Sequence, residues 1–183
     1  MGSPRPWTVI DTEAVQDCTI FRVHRDRARS PRSGDVHDWW RIASADWCNV
    51  VPVTEDGDVV MVRQWRHGSR SLTLEIPGGI VDPGETCAEA AARELLEETG
   101  YGGGELVPIG ALNPNPAIFD NRVHTFWARG VRALAPIANH GEEETAVELV
   151  PLADLDRRVA AGEIDHALVI AALHWFHLAR NVR

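Results

Sequence analysis

The sequence predicts an α/β fold in which a β-sheet is covered by helices on both faces. Three observations carry that expectation. Two strand pairs are legible before residue 66, a well-bounded helix then interrupts a further series of strands, and two helices close the chain. Strands interrupted and followed by helices are the pattern of a layered sheet.

Taken in order, residues 18–23 are rich in β-formers, 30–35 (Ser-Pro-Arg-Ser-Gly-Asp) read as a turn, and 37–42 resume the strand, giving a hairpin. A second pair, 48–53 and 59–65, is joined through Glu55-Asp56-Gly57-Asp58. A short strand through Leu74 ends in a glycine corner at Gly78 and Gly79. Thr86 is the expected N-cap of the next helix, with Glu89 as its partner in a capping box. Gly100 stands where a left-handed C-terminal residue belongs. Residues 106–112, 123–128 and 145–150 read as strands. Helices are expected over 152–161 and 165–180, the last capped by Asp165, with Leu168, Ala171, Ala172, Trp175 and Leu178 at helical spacing.

A chain of 183 residues, 44% hydrophobic and 25% charged, suits one globular domain with a substantial core. No linker or repeat divides it. No apolar run approaches the roughly 20 residues of a membrane span, and the segment 1–9 lacks the apolar stretch of an export signal. Cys18, Cys48 and Cys87 form no CxxC pair, which suits a reducing cytoplasm and argues against a disulfide framework or a structural zinc site. The net charge of −9 gives no general attraction for nucleic acid. A polyanionic substrate would therefore need local arginines or bound cations.

With Glu94 at zero on a helical wheel, Glu98 falls about 40° to one side and Glu97 about 60° to the other. The three carboxylates share a face, beside an arc of Ala88, Ala91, Ala92, Leu95 and Thr99 suited to packing on a sheet. Clustered like charges weaken a helix by a few tenths of a kcal/mol per pair, and a solvated acidic face is the ordinary explanation. Here Asp82, Glu85 and the glycine corner lie just upstream, where a loop carbonyl can approach the acids. Magnesium wants such hard oxygen ligands and often shares one or two carboxylates with a phosphate.

From Gly79 the chain runs five residues to Glu85, seven more, and then Arg93-Glu94-Leu95-Leu96-Glu97-Glu98-Thr99-Gly100-Tyr101. This resembles the Nudix box, G-x5-E-x7-R-E-U-x-E-E-x-G-U, where U is a bulky aliphatic; only the aromatic Tyr101 departs from it. The resemblance implies the Nudix fold, an α/β/α sandwich with a mixed β-sheet and N-terminal antiparallel strands. It also implies metal ligation by Glu94 and Glu98, with Glu97 contributing and the Gly78 carbonyl completing the shell. Arg93 would orient a box carboxylate, Glu85 or Glu97. The implied cofactor is magnesium, with manganese able to substitute.

Residues outside the box narrow the substrate. Pro116, in Asn113-Pro114-Asn115-Pro116-Ala117, lies 16 positions after Gly100 and is similar to the downstream proline of ADP-ribose and nucleotide-sugar pyrophosphatases. The segment through Asn121-Arg122-Val123-His124 resembles the same group, although a proline that only shapes a strand entry remains an alternative. Val62-Arg63-Gln64-Trp65-Arg66 is similar to the strand end from which that subfamily reaches substrate. Arg66 is the preferred diphosphate contact, since a guanidinium grips phosphate bidentately; Arg63 competes, and Glu75 is a further substrate-side candidate. Trp39, Trp40 and Trp65 are able to stack a base, but the core is their preferred place.

In the ADP-ribose class an acidic loop after the box supplies the general base or a further metal ligand. Here that loop is Gly141-Glu142-Glu143-Glu144, with Glu143 the best match and Glu142 next. His174 and His177 read as ordinary helix residues and Cys87 as packing.

The expectation is one domain over 1–183, with strands of 1–45 that exchange across a homodimer and a core from 46 to 183. Its expected activity is magnesium-dependent hydrolysis of nucleoside diphosphate sugars such as ADP-ribose to a nucleoside monophosphate and a sugar phosphate. Rivals are a dinucleoside polyphosphate or nucleoside triphosphate hydrolase, and a non-catalytic ADP-ribose sensor. No nucleic acid or membrane partner is expected, and the expected location is cytoplasmic.

Overall fold

The computed structural model describes residues 3–181. Met1 and Gly2, which open the segment read for an export signal, lie outside the described residues, as do residues 182–183. The chain divides into two compact units. One is built on residues up to Ala45 with Asn113–Arg122, the other on Asp46–Leu112 with the chain from Val123 onward. Among the described residues, no helix is long and apolar enough to cross a membrane.

The first unit is an antiparallel sheet of β1 (Thr8–Asp17), β2 (Phe21–Arg29) and β3 (Val36–Ser44) in that spatial order. The hairpin read at 30–35 is present: Gly34 takes a positive φ of 83°, Ser30 N–H donates to the Asp35 carbonyl at 2.8 Å, and the Ser30 hydroxyl accepts from Arg32 and Ser33 N–H groups. Its first strand begins at Phe21 rather than Cys18, because residues 18–20 make the tight turn from β1, with Thr19 at φ 69°. The sequence reading missed β1. All ten of its residues are exposed, so no alternation of apolar and polar positions marks it. Segment 113–122 joins this unit through a bridge between Ile42 and Phe119 and through Arg41, which pairs with both Asp26 and Asp120.

The core assignment of the tryptophans is corrected here. Trp39 and Trp40 are half-exposed on β3, and Trp7 packs edge-on to Trp39 with ring centroids 5.2 Å apart.

The second unit holds β4 (Trp47–Thr54), β5 (Asp58–Arg66), β6 (Ser71–Glu75), β7 (Gly78–Ile80), helix α1 (Cys87–Thr99), β8 (Tyr101–Gly102), β9 (Glu105–Leu112), β10 (Val123–Ala133) and β11 (Thr145–Pro151). A 3₁₀ turn (Leu152–Asp154), α2 (Leu155–Ala160) and α3 (Ala167–Asn181) follow. The strands form one mixed sheet with the path β11-β5-β4-β10-β8; β4 and β10 are parallel, and β6, β7 and β9 pair at β5, β4 and β10. Strand alternation builds two cores. Cys48, Val50 and Val60 meet Ala90, Ala91 and Leu95 of α1 on one face. Val51, Val53, Val59 and Met61 meet Leu155, Ile164, Val169, Ala172 and Phe176 on the other. Valines buried on both faces are what a sheet between helical layers requires, and the α/β/α sandwich follows. Trp65, also expected in the core, is half-exposed at the end of β5.

Helix details correct the reading by single positions. In α1 the buried alanines are Ala90 and Ala91, while Ala88 and Ala92 face solvent. The buried stripe of α3 is Val169, Ala172 and Phe176, leaving Leu178 exposed. That helix starts at Ala167, and the His166 ring accepts from Leu168 N–H, so Asp165 lies one residue too early to cap it. The stretch 152–161 is split into the 3₁₀ turn and α2.

Candidate active site

Helix α1, which carries the box carboxylates, is fixed at both ends. Thr86 Oγ1 accepts from Glu89 N–H at 3.2 Å while Glu89 accepts from Thr86 N–H at 2.8 Å, which completes the expected capping box. Gly100, at φ 73°, returns its N–H to the Leu96 carbonyl. A helix so capped holds its register against the sheet, and the register decides which glutamates face inward.

Glu98 is buried, with 2% of its surface exposed, and accepts a 3.0 Å hydrogen bond from Gly78 N–H. Burial pushes its carboxyl up to about 8; the charges of Glu94 and Glu143 push the same way, while the Gly78 N–H and Arg66 oppose them. Glu94 is also raised, chiefly by desolvation, with Arg93 acting against it and Glu97 and Glu143 adding to it. At the glycine corner Gly78 is held by backbone, while a side chain at Gly79 would displace a carboxylate. A Cβ on Gly79 would collide with the Glu94 carboxylate, and one on Gly78 with the Cys48 carbonyl.

Arg93 ties the loop to the helix. It makes two 2.9 Å bonds to Glu85, a third of 2.8 Å to Glu94 and a longer one of 3.3 Å to Glu97, and its Nη2 also donates to the Ile80 carbonyl. Glu85 is thereby held below its ordinary carboxylate value.

Arg66, at the end of β5, donates from Nε and Nη2 to the two oxygens of Glu75, each at 2.8 Å. Burial works to raise the Glu75 carboxyl, but hydrogen bonds from Arg66 and Thr73 outweigh it and hold the group below its ordinary value. Arg66 also feels the charges of Glu98 and Glu143. Arg63 is engaged elsewhere, bonded at 2.7 Å to Glu148, which Arg158 meets at 2.6 Å.

The acidic loop is tied to the box helix by contacts invisible in the sequence. Ala138 N–H donates to the Glu97 carbonyl, Thr145 Oγ1 to the Glu98 carbonyl at 2.8 Å, and His140 Nε2 pairs with Glu97 Oε1 at 3.0 Å. Glu143 is thereby brought within electrostatic reach of Glu94, Glu98 and Arg66. His140, Thr145 and Thr73 were not among the expected site residues, nor was Asn139, whose side-chain amide donates to Thr145 Oγ1 at 3.0 Å. Pro116 and Asn121 belong to the first unit, where the Asn121 amide donates to the Ala45 carbonyl at 2.9 Å.

Glu94, Glu97 and Glu98 offer the kind of ligand atom that a hard divalent cation takes. Their donors are hard oxygens, and the largest raised carboxyl among them is the one with least access to water. Glu98 has no ion-pair partner among the described residues, and the charge of Glu94 adds to the rise that burial gives it, a strain that a bound cation would relieve.

The NUDIX domain family matches this chain over residues 46–173. An ADP-ribose pyrophosphatase of Mycobacterium tuberculosis is 31% identical over 92% of this chain and 82% of its own length. An ADP-sugar pyrophosphatase of Mus musculus is 34% identical over 97% of this chain and 89% of its own length. A crystal structure of an ADP compounds hydrolase superposes with a TM-score of 0.85 at 23% identity, covering 97% of this chain and 95% of that one. The chain belongs to the Nudix hydrolase family. Enzymes of this family generally use divalent metals.

Proposed function

We propose that this chain hydrolyses the diphosphate bond of nucleoside diphosphate sugars such as ADP-ribose, giving a nucleoside monophosphate and a sugar phosphate. The observation that supports the proposal is that Glu98, which accepts from Gly78 N–H, lies within electrostatic reach of Glu94, Glu143 and Arg66. The names of the two pyrophosphatase relatives support the substrate class.

Glu94 and Glu98, with Glu97 and the Gly78 carbonyl, would hold magnesium, for which manganese is a substitute. When bound, the metal neutralises diphosphate charge and makes a coordinated water more acidic. Arg93 keeps the box carboxylates in position through Glu85. Arg66, oriented by Glu75, presents its guanidinium to a phosphate oxygen. Glu143 takes the proton of the attacking water. As the new P–O bond forms, the bond from that phosphorus to the bridging oxygen breaks, and the bridging oxygen leaves on the other phosphate.

The sheet of the first unit supports a homodimer, since Trp7, Trp39 and Trp40 expose large apolar area. Free Cys18, Cys48 and Cys87 support a reducing, cytoplasmic setting.

The experiment is a substrate panel with magnesium: ADP-ribose, ATP and diadenosine tetraphosphate. The proposal expects ADP-ribose to yield AMP and ribose 5-phosphate with kcat/KM at least about tenfold above the others. Preference for the triphosphate or dinucleotide, or binding of ADP-ribose without turnover, would overturn it.

A further inference from the structure

Asp46, Cys87 and His124 bring a carboxylate oxygen, a sulfur and an imidazole nitrogen within 4.8 Å of one another. They come from three separate places. Asp46 immediately precedes β4, His124 lies beside Cys48 in the parallel β4–β10 ladder, and Cys87 is the first residue of α1. His124 Nε2 stands 2.9 Å from Asp46 Oδ2, and the Asp46 carbonyl accepts from Val81 N–H at 2.9 Å. An aspartate–histidine pair beside a packing thiol is the ordinary account of such a group. What that account leaves over is the convergence of three different donor types from three separate elements.

We propose that Asp46, Cys87 and His124 form a second cation site, for a transition metal such as zinc, separate from the carboxylate face of α1. The donor set argues for it, since sulfur and imidazole select zinc or cobalt over magnesium. The spacing agrees. Zinc bonds of about 2.0–2.3 Å imply donor-to-donor edges of roughly 3.3–3.8 Å, so the wider edges close by about 1 Å at most while the hydrogen-bonded His124–Asp46 pair opens by less than about 1 Å. All three residues are partly exposed, which leaves room for a water as fourth ligand. Seven residues of helix, about 10 Å, separate Cys87 from Glu94, so the two sites hold different ions without sharing a ligand. On binding, the Cys87 thiol proton passes to the solvent and the thiolate bonds the ion. An ion here joins the start of α1 to β4 and β10, and steadies the loop that carries Glu85.

The test is a cobalt titration of the whole protein in excess magnesium. It should give a sulfur-to-cobalt charge-transfer band saturating at one ion per chain, which zinc displaces and magnesium does not. Cys87→Ala should abolish the band, His124→Gln should weaken binding at least about tenfold, and Cys18→Ala should leave it intact. Circular dichroism establishes that each variant is folded, and the two replacements probe the site from different elements. No band in the parent protein, a band surviving in Cys87→Ala, or unchanged affinity in His124→Gln would each overturn the proposal. The readout involves no turnover, so it stands or falls apart from the substrate assignment.

Discussion

Arg66 and Glu75 meet in a fork of two parallel hydrogen bonds between neighbouring strands, the carboxylate buried and the guanidinium partly open to solvent. The open side is what remains to meet a phosphate. Arg66→Lys keeps the charge but loses the fork, and kcat/KM for ADP-ribose should fall roughly 10- to 100-fold, about 1.4–2.8 kcal/mol. Glu75→Gln weakens a buried charge-assisted pair and should cost about 1–3 kcal/mol of stability by urea unfolding. An unchanged kcat/KM in Arg66→Lys would remove Arg66 from the substrate site.

Within the acidic loop, Glu143 is the residue whose charge reaches Glu94, Glu98 and Arg66. Glu143→Gln should lower kcat by about 10²–10⁴, the usual worth of a general base, with a small change in KM. Glu142→Gln should stay within a few-fold of the parent. Steady-state kinetics on both variants decide the matter, and the reverse ranking would move the base by one residue.

The ends of α1 set its register, and their two caps differ in how they fail. Thr86→Ala removes one side of the capping box and should cost about 1 kcal/mol. Gly100→Ala should cost more, roughly 1–3 kcal/mol for the left-handed backbone alone, because its Cβ also collides with the Ala135 carbonyl. Urea denaturation of both variants checks the order. Equal losses would mean that the C-terminal cap relaxes freely.

Asp26 carries a pH dependence independent of the active site. The hydrogen bond from Arg41 holds its carboxyl below the ordinary value of 3.8, against some desolvation and with help from Thr12. A group more acidic in the folded state adds stability above its unfolded value and loses it as pH falls through its folded value. Asp26→Asn should therefore be less stable than the parent at pH 7, with the gap closing below about pH 4. Urea unfolding at both pH values measures this; an equal gap at both would contradict it.

What the sequence disclosed follows from how locally each feature is encoded. The box helix was legible to its caps because Thr86, Glu89 and Gly100 act on neighbouring backbone, and its carboxylate face follows from helical angle alone. The buried valines at 50–53 and 59–62 marked central strands. By contrast β1 left no mark, since none of its residues is buried. Trp39 and Trp40 looked like core residues because a tryptophan's own chemistry does not reveal which side of a sheet is covered. The ties from Ala138, His140 and Thr145 to Glu97 and Glu98 cross more than 40 positions. No spacing rule anticipates such contacts, so the acidic loop was foreseeable while its anchors were not. Arg66 was preferred to Arg63 in the sequence, but their partners, Glu75 for one and Glu148 for the other, were not legible there.

The most direct measurement is a crystal structure with manganese and a non-cleavable ADP-ribose analogue, the ions located by their anomalous scattering. The account predicts manganese against the carboxylates of Glu94 and Glu98, between them and the diphosphate, and no such ion in Glu98→Gln. Analogue bound in the site with no ion beside Glu94 and Glu98 would contradict it.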